Sequence, residues 1–204
     1  MKKNQIKVKK IGITGGIGSG KTTVCQIFET LGIPIYYADT EAKRIMVEDA
    51  HLITKIKNLF GKEAYTTEGQ LNRAFIGNLV FKDKKLLEKL NAIVHPALAE
   101  DYEKWHDSQK LVPYTLKEAA ILFEMGAYKI MDKVITVSAP IELRIKRVMA
   151  RDKVEKAAVL NRISKQMPEE EKEKRADFIV HNDGKQGLIE QVLKIHKILI
   201  PAYS

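Results

Sequence analysis

The sequence predicts an α/β protein in which helices cover both faces of a parallel sheet, and three observations support that fold class. Residues 8–15, VKKIGITG, have the β-branched content of a buried strand. Apolar residues then recur at helical spacing until Gly32 ends the run. The segment IPIYYAD, at 33–39, has the pattern of a second short strand. Because a strand, a helix and a strand in that order form a βαβ unit, the strands should run parallel.

Three later strands are predicted from apolar and β-branched runs, at 111–119, 133–139 and 177–182. The pattern between residues 40 and 108 is nearly all helical, and a second helical block, rich in charges of both signs, covers 141–175. We therefore predict a core that is interrupted by a helical subdomain at 40–108 and by a helical lid at 141–175. The predicted core consists of residues 1–39, 109–140 and 176–204.

Side chains suited to helix N-caps divide the first helical block. We expect Asp49, Asn72 and Asp83 each to begin a helix, because their side-chain oxygens accept hydrogen bonds from the unpaired N–H groups there. The helix that follows Asp83 should end at the His95-Pro96 pair, because the residue before a proline disfavours helical geometry.

Composition excludes several classes of protein. Of the 204 residues, 45% are hydrophobic and 30% are charged, unlike a disordered or fibrous chain. No apolar run approaches the roughly 20 residues that span a bilayer, and the lysine-rich start MKKNQIKVKK has no apolar stretch behind it, so we predict a cytoplasmic protein. The single cysteine, Cys25, excludes an internal disulfide and is expected to be a packed thiol. The net charge of +9 suits either a phosphate-rich ligand or a nucleic acid.

Residues 15–22, GGIGSGKT, match the phosphate-binding pattern G-x-x-x-x-G-K-[ST] without a gap. The glycines let the backbone wrap a polyphosphate with its N–H groups pointing inward, where side chains would block a close approach. The helix that begins near Gly20 adds free N–H groups and the positive end of its dipole. Lys21 is then placed to reach the β and γ phosphates, and the Thr22 hydroxyl to bind Mg²⁺. The motif predicts a nucleoside triphosphate ligand.

Other motifs narrow the class of P-loop protein. The sequence has neither the N/T-K-x-D motif of a GTPase nor a strand that ends in the D-E pair common in motor ATPases. A small-molecule kinase needs an acid near the acceptor hydroxyl, a lid with arginines and an acceptor pocket, and all three have candidates. Asp39, at the end of the second predicted strand, should lie at the sheet edge that carries the phosphate loop. It is a candidate general base or Mg²⁺ ligand, with an N-cap of the next helix as the alternative.

The segment ELRIKRVMARD, at 142–152, carries three arginines. Arg147 and Arg151 are four residues apart and share a helical face, so both are expected to turn toward the γ phosphate when a lid closes. Arg144 is a weaker candidate for the same role. A solvated charged face is the alternative for the whole helix.

Seven segments along the chain have a recognisable order, namely GITGGIGSGKTTV, GIPIYYAD, LNRAFIGNLVF, AIVHPAL, ILFE, IKRVMARD and ADFIVHNDG. Together they resemble the dephospho-coenzyme A (dephospho-CoA) kinase family over nearly the whole chain. The resemblance implies transfer of the ATP γ-phosphoryl group to the ribose 3′-hydroxyl of dephospho-CoA, the last step of coenzyme A synthesis. It also implies a nucleotide core, a helical coenzyme A domain and a lid.

The same resemblance implies roles for particular residues. Asp39 matches the family's candidate general base, and Arg147 and Arg151 match its lid arginines. Asn182 matches the asparagine of its C-terminal N-x-G turn, for which a contact with adenine is implied. The residues that match its ATP loop are Gly16, Ile17, Gly18, Ser19, Gly20, Lys21, Thr22 and Thr23.

Arg73 and His95 match positions of the family's coenzyme A domain, although a structural role at a helix junction stays open for His95. Two positions depart from the family pattern. The first position of its frequent D-x-D is Tyr37 here, so the remaining aspartate acts without that neighbour. Where many members have an aspartate and a proline before LLFE, this chain has Glu118 and Ala120, and Glu118 stays a candidate for Mg²⁺ or acceptor binding.

The expected partners are two small molecules, ATP and dephospho-CoA, with no nucleic acid and no membrane, while the oligomeric state stays open. One rival interpretation is another small-molecule kinase, such as a nucleoside or shikimate-type enzyme. The other is a nucleic-acid-binding ATPase, which the positive charge would suit but which lacks interleaved aromatic residues.

Overall fold

The computed structural model describes residues 7–200, so the first six residues of the lysine-rich start lie outside it. Within that range no helix is both long and apolar enough to cross a membrane. The strands are β1 (Lys9–Thr14), β2 (Ile35–Tyr37), β3 (Tyr114–Glu118), β4 (Lys133–Ser138) and β5 (Phe178–His181). The α-helices are α1 (Lys21–Thr30), α2 (Ala38–Glu48), α3 (Ala50–Phe60), α4 (Arg73–Lys82), α5 (Lys84–Ser108), α6 (Ile141–Asp152), α7 (Lys156–Ile163), α8 (Glu169–Arg175) and α9 (Leu188–Leu199). Short 3₁₀ helices cover Lys62–Ala64 and Ala127–Ile130.

The five strands form one sheet in the order β2-β3-β1-β4-β5. The pairs β1·β3, β1·β4 and β4·β5 are parallel, with Ile13 opposite both Glu118 and Ile135. The predicted fold class, a parallel sheet with helices, is therefore confirmed. The strands are slightly shorter than the apolar runs that predicted them. The central strand β1 leads directly into the glycine-rich segment.

The chain divides into two compact units. Among the described residues, one comprises 7–36 and 109–200, and the other comprises Tyr37–Ser108. The division proposed from the sequence, with a subdomain at 40–108 and a separate lid at 141–175, stays a prediction.

The core of the first unit is formed by the sheet and by helices that pack on it. Helix α1 contacts α9, and α8 contacts β4. Cys25 is fully buried in α1, and burial raises the pKa of its thiol well above the usual range. The predicted packed thiol is thus confirmed. Other buried residues of this core include Ile11, Ile13, Val24, Phe28, Leu116, Ile135, Val137, Val180, Val192 and Ile195.

The predicted helix caps of the second unit are confirmed. The Asp49 side chain accepts hydrogen bonds from two N–H groups at the start of α3, and α3 ends at Phe60. Asn72 accepts a hydrogen bond from the Phe75 N–H, and Asp83 accepts one from the Lys85 N–H at 2.8 Å. The buried members of the cluster that these helices enclose are Ile45, Leu52, Ile56, Phe60, Ala64, Tyr65, Ile76 and Val94.

The predicted break at His95-Pro96 is wrong. Helix α5 runs without interruption through Pro96 to Ser108. An interior proline costs a helix about 3 kcal/mol. Side chains on both sides of it are buried, Val94 before and Tyr102 after, so packing over the full length of the helix outweighs that cost.

Candidate active site

The glycine-rich segment joins β1 to α1 as a tight loop, and glycine is required there by conformation. Gly18 and Gly20 have φ of 80° and 91°, which L-residues with side chains rarely adopt. Gly20 is the N-cap of α1, as the sequence predicted. A Cβ atom at Gly20 would also overlap the side-chain amide of Asn182. The backbone therefore passes where no side chain fits.

Arg144 braces the first half of this loop from outside. Its side chain is buried, and its Nε donates to the Ile17 carbonyl oxygen at 3.0 Å. Nη1 forms an ion pair with Glu169 Oε2 at 2.7 Å. The guanidinium lies so close to Gly16 that a Cβ atom there would overlap it. The sequence suggested Arg144 only as a weak lid candidate, and no sequence signal pointed to Glu169.

Arg147 and Asn182 brace the second half of the loop. Asn182 follows β5, and its Nδ2 donates to the Ser19 carbonyl oxygen at 2.8 Å. Arg147 Nη2 donates to Asn182 Oδ1 at 3.1 Å, and Nη1 reaches the Gly18 carbonyl oxygen at 3.5 Å. Successive carbonyl oxygens of the loop thus accept hydrogen bonds from side chains around it.

Arg151 does not join this group. Its guanidinium forms an ion pair with Asp152 at 2.7 Å, and 64% of its side chain is exposed. Asp152 also pairs with Arg162 at 2.6 Å, and the two guanidinium groups lower the pKa of Asp152 to about 2. The structure therefore brings Arg147 to the loop and leaves Arg151 in a surface network.

Lys21 begins α1, and its ammonium group folds back on the loop. Nζ donates to the carbonyl oxygen of Gly15 at 2.9 Å and to that of Gly16 at 3.5 Å. Thr22 and Thr23 are exposed in the first turn of the same helix. A cation, the N-terminal end of a helix and two exposed threonines therefore share one end of α1.

Glu118 ends β3 beside the strand that leads into the loop. It is largely buried, and the following residue, Ala119, donates its N–H to the Ile13 carbonyl oxygen at 3.1 Å. Residues 7–200 contain no group of three His, Cys, Asp or Glu side chains arranged to hold a metal. Mg²⁺ in phosphoryl-transfer enzymes needs only one or two protein oxygens, because the substrate phosphates supply others. The Thr22 hydroxyl and the Glu118 carboxylate are oxygen donors of the kind that Mg²⁺ prefers.

Three predicted substrate residues lie in the second unit. The prediction that Asp39 ends the second strand is wrong. Asp39 lies in the first turn of α2, because β2 stops at Tyr37 and helical geometry begins at Ala38. Tyr37 is the N-cap of α2, so the alternative N-cap role of Asp39 is also wrong. The Asp39 side chain is exposed in the structure.

Arg73 and His95 lie on α4 and α5 of the same unit. Arg73 is the first residue of α4 and is exposed. His95 is half-buried on α5, and desolvation lowers the pKa of its imidazole. The neutral imidazole is therefore the favoured form at neutral pH.

This chain is similar in sequence and in structure to known dephospho-CoA kinases. A family model described as Dephospho-CoA kinase matches residues 9–187. A dephospho-CoA kinase of Salinibacter ruber is 42% identical over 176 residues, which cover 85% of this chain and 88% of that protein. A crystal structure of TT1252 from Thermus thermophilus has a TM-score of 0.84 and 35% identity, and covers 96% of this chain and 99% of that one. A dephospho-CoA kinase structure from Campylobacter jejuni has a TM-score of 0.63 and 28% identity over 94% of this chain and 97% of that one. The chain belongs to the dephospho-CoA kinase family.

Proposed function

We propose that this chain transfers the γ-phosphoryl group of ATP to the ribose 3′-hydroxyl of dephospho-CoA. The observation that carries the proposal is the match of a dephospho-CoA kinase family model to residues 9–187, a range that includes the complete phosphate loop. The enzyme is thus an ATP-dependent kinase with an alcohol acceptor, and the reaction completes coenzyme A synthesis.

The phosphate loop supplies most of what this chemistry requires. Phosphoryl transfer depends chiefly on position and on compensation of the charge that spreads over the γ-phosphate oxygens. The loop from Gly16 to Thr23 would bind the phosphates through its backbone N–H groups, apart from the Ile17 N–H, which donates to Gln166 Oε1. Lys21 would exchange its bonds to the loop carbonyls for the β and γ phosphates. Thr22, with Glu118 as a second oxygen donor, would hold Mg²⁺, which would supply further charge compensation.

Asp39 is the residue we assign as general base. Its carboxylate would accept the proton of the 3′-hydroxyl as the oxygen attacks the γ phosphorus. An exposed carboxylate near the start of a helix is available for this role. Arg73 and His95 would bind the acceptor, the first through its charge and the second as a neutral imidazole.

Arg147, Arg151 and Asn182 complete the proposed nucleotide site. Asn182 would contact the adenine while its Nδ2 holds the Ser19 carbonyl oxygen. Arg147 is already at the loop, whereas Arg151 would have to leave Asp152 to reach a phosphate. Closure of a lid at 141–175 would exclude water that otherwise hydrolyses ATP, while the bond from Arg144 to the Ile17 carbonyl oxygen is kept.

The remaining expectations form part of the same proposal. We place the protein in the cytoplasm and expect neither a nucleic acid nor a membrane as partner. The net charge of +9 is then explained by two highly phosphorylated substrates.

One assay compares the proposed acceptor with its rivals. ATP consumption is measured with dephospho-CoA, with shikimate and nucleosides, and with DNA or RNA. Of these compounds, we expect that only dephospho-CoA causes rapid formation of ADP from ATP. Stimulation by a polynucleotide, steeply reduced by salt, would instead identify a nucleic-acid-dependent ATPase.

A further inference from the structure

Ile17, in the middle of the glycine-rich loop, is anchored through its side chain, its carbonyl group and its N–H group. The carbonyl oxygen accepts the hydrogen bond from Arg144 Nε. The N–H group donates to Gln166 Oε1 at 2.8 Å. The side chain packs against a cluster on α6 and α7 whose buried members are Ile145, Val148 and Val159.

Gln166 lies in the connection between α7 and α8, and this connection is itself fixed. The N–H of the next residue, Met167, donates to Glu124 Oε1 at 2.8 Å. Lys172 on α8 is fully buried, and its Nζ donates to the Ala120 carbonyl oxygen at 3.0 Å and pairs with Glu124 at 3.0 Å. These bonds hold the connection against the segment that follows β3. The Gln166 amide is therefore placed before any nucleotide arrives.

The bond to Gln166 holds the N–H side of the Gly16–Ile17 peptide group, whose carbonyl oxygen accepts a hydrogen bond from the Ser19 N–H at 3.1 Å. The residues on both sides of Ile17 are glycines, which adopt many backbone conformations at little cost. A loop of this kind must lose that freedom when it closes around phosphate, and the loss weakens binding unless the loop is already ordered. An acceptor for the Ile17 N–H opposes rotation of this peptide group, and Arg144 holds the other side of the same residue.

We propose that Gln166 is a positioning residue for the phosphate loop: its side-chain oxygen fixes the Ile17 N–H and so preorganises the following N–H groups to bind the ATP phosphates. Gln166 itself does not contact the nucleotide. The inference rests on the proposed function only in taking ATP as the ligand of the loop. It makes the connection between α7 and α8 a determinant of ATP affinity.

The test substitutes Gln166→Met, which keeps the length of the side chain and removes the acceptor. The matched control is Gln26→Met, at an exposed position on α1. Affinities for ATP with Mg²⁺ and, separately, for dephospho-CoA are measured by calorimetric titration. Because an unpaired N–H lets the loop relax in the unliganded protein, we expect ATP to bind about 5- to 50-fold more weakly to Gln166→Met. Affinity for dephospho-CoA should stay within about twofold of the unsubstituted protein, and Gln26→Met should change neither value.

Amide hydrogen exchange supplies an independent readout. The Ile17 N–H should exchange faster in Gln166→Met without nucleotide, whereas N–H groups in β1 and β4 should exchange at unchanged rates. If Gln166→Met fails to fold by circular dichroism, Gln166→Ala, which leaves room for water at the same site, takes its place. Unchanged ATP affinity or unchanged Ile17 exchange in a folded variant would overturn the inference. Equal weakening toward ATP and dephospho-CoA would also overturn it, because that pattern indicates general damage.

The two proposals can fail separately. If the protein binds ATP but forms no coenzyme A, the acceptor is wrong and the Gln166 result still stands. If coenzyme A forms and Gln166→Met binds ATP normally, the positioning role is wrong and the enzyme activity stands.

Discussion

At the scale of single residues, the phosphate loop is held by side chains that lie far away in the sequence. Arg144 is 127 residues from Ile17, and Asn182 is 163 residues from Ser19. The glycines provide access for phosphate, but they also leave the loop without side chains that would fix its shape. The surrounding Arg and Asn side chains supply that constraint.

Asp39→Asn tests the assignment of the general base. We expect kcat to fall by about 10² to 10⁴ because an amide cannot accept the hydroxyl proton, while the Kd for ATP changes little. Steady-state kinetics and an ATP titration measure the two quantities. A kcat within threefold of the unsubstituted enzyme would exclude Asp39 from this role.

Arg144→Met tests how much the contacts of the Arg144 guanidinium, beside Gly16, stabilise the protein. Removing the guanidinium leaves the largely buried Glu169 carboxylate without its ion-pair partner, so we expect the free energy of unfolding at pH 7 to fall by about 3 kcal/mol. Burial already raises the pKa of Glu169, and loss of Arg144 should raise it further. Protonation then relieves the penalty, so the loss should be smaller at pH 5 than at pH 7 in urea denaturation.

The double variant Arg144→Met/Glu169→Gln is the control, because it also removes the charge of the Glu169 carboxylate. It should recover part of the lost stability at pH 7 and remove most of the difference between the two pH values. A single variant that loses less than about 1 kcal/mol at pH 7 would show that the pair does not stabilise the fold.

At the scale of elements, features that depend on neighbouring residues could be predicted from the sequence. Features that depend on contacts between distant residues could not. Asp49 and Asn72 were predicted as caps because a cap bonds to N–H groups two or three residues away. Pro96 was misread because the packing that keeps α5 helical involves residues outside the local segment. Gln166 was missed for the same reason, since its partner is 149 residues away. The glycine motif and the family segments predicted the site itself.

Glu124 links two elements, and its titration offers a test of that link. Burial favours the protonated form, but the hydrogen bond from the Met167 N–H and the Lys172 ammonium outweigh it, so the pKa of Glu124 lies below its usual 4.5. A lowered pKa means that the stabilisation is present above that ordinary value and is lost as the pH falls through the folded-state pKa. Glu124→Gln should therefore lower the free energy of unfolding by about 1 to 2 kcal/mol at pH 7.

The pH dependence distinguishes charge from shape at this position. The difference between the unsubstituted protein and Glu124→Gln should shrink toward zero as urea denaturation is repeated from pH 6 down to pH 3. A difference that stays constant over this range would mean that the carboxylate charge contributes nothing to the contact with α8.

At the scale of the whole molecule, two properties agree with a kinase for phosphorylated substrates. The central strand of the sheet leads into the glycine-rich phosphate loop, and the chain carries a net charge of +9. Either property alone would also suit a nucleic-acid-dependent ATPase. The family match over residues 9–187 favours the small acceptor.

The most direct test of the proposed transfer is the position of the phosphate in the product. Purified protein is incubated with ATP, Mg²⁺ and dephospho-CoA, and the product is analysed by mass spectrometry and ³¹P NMR. We expect one added phosphoryl group per acceptor, as a 3′-phosphomonoester, with one ADP formed for each product. Release of inorganic phosphate without coenzyme A, or no consumption of ATP, would contradict the proposed transfer.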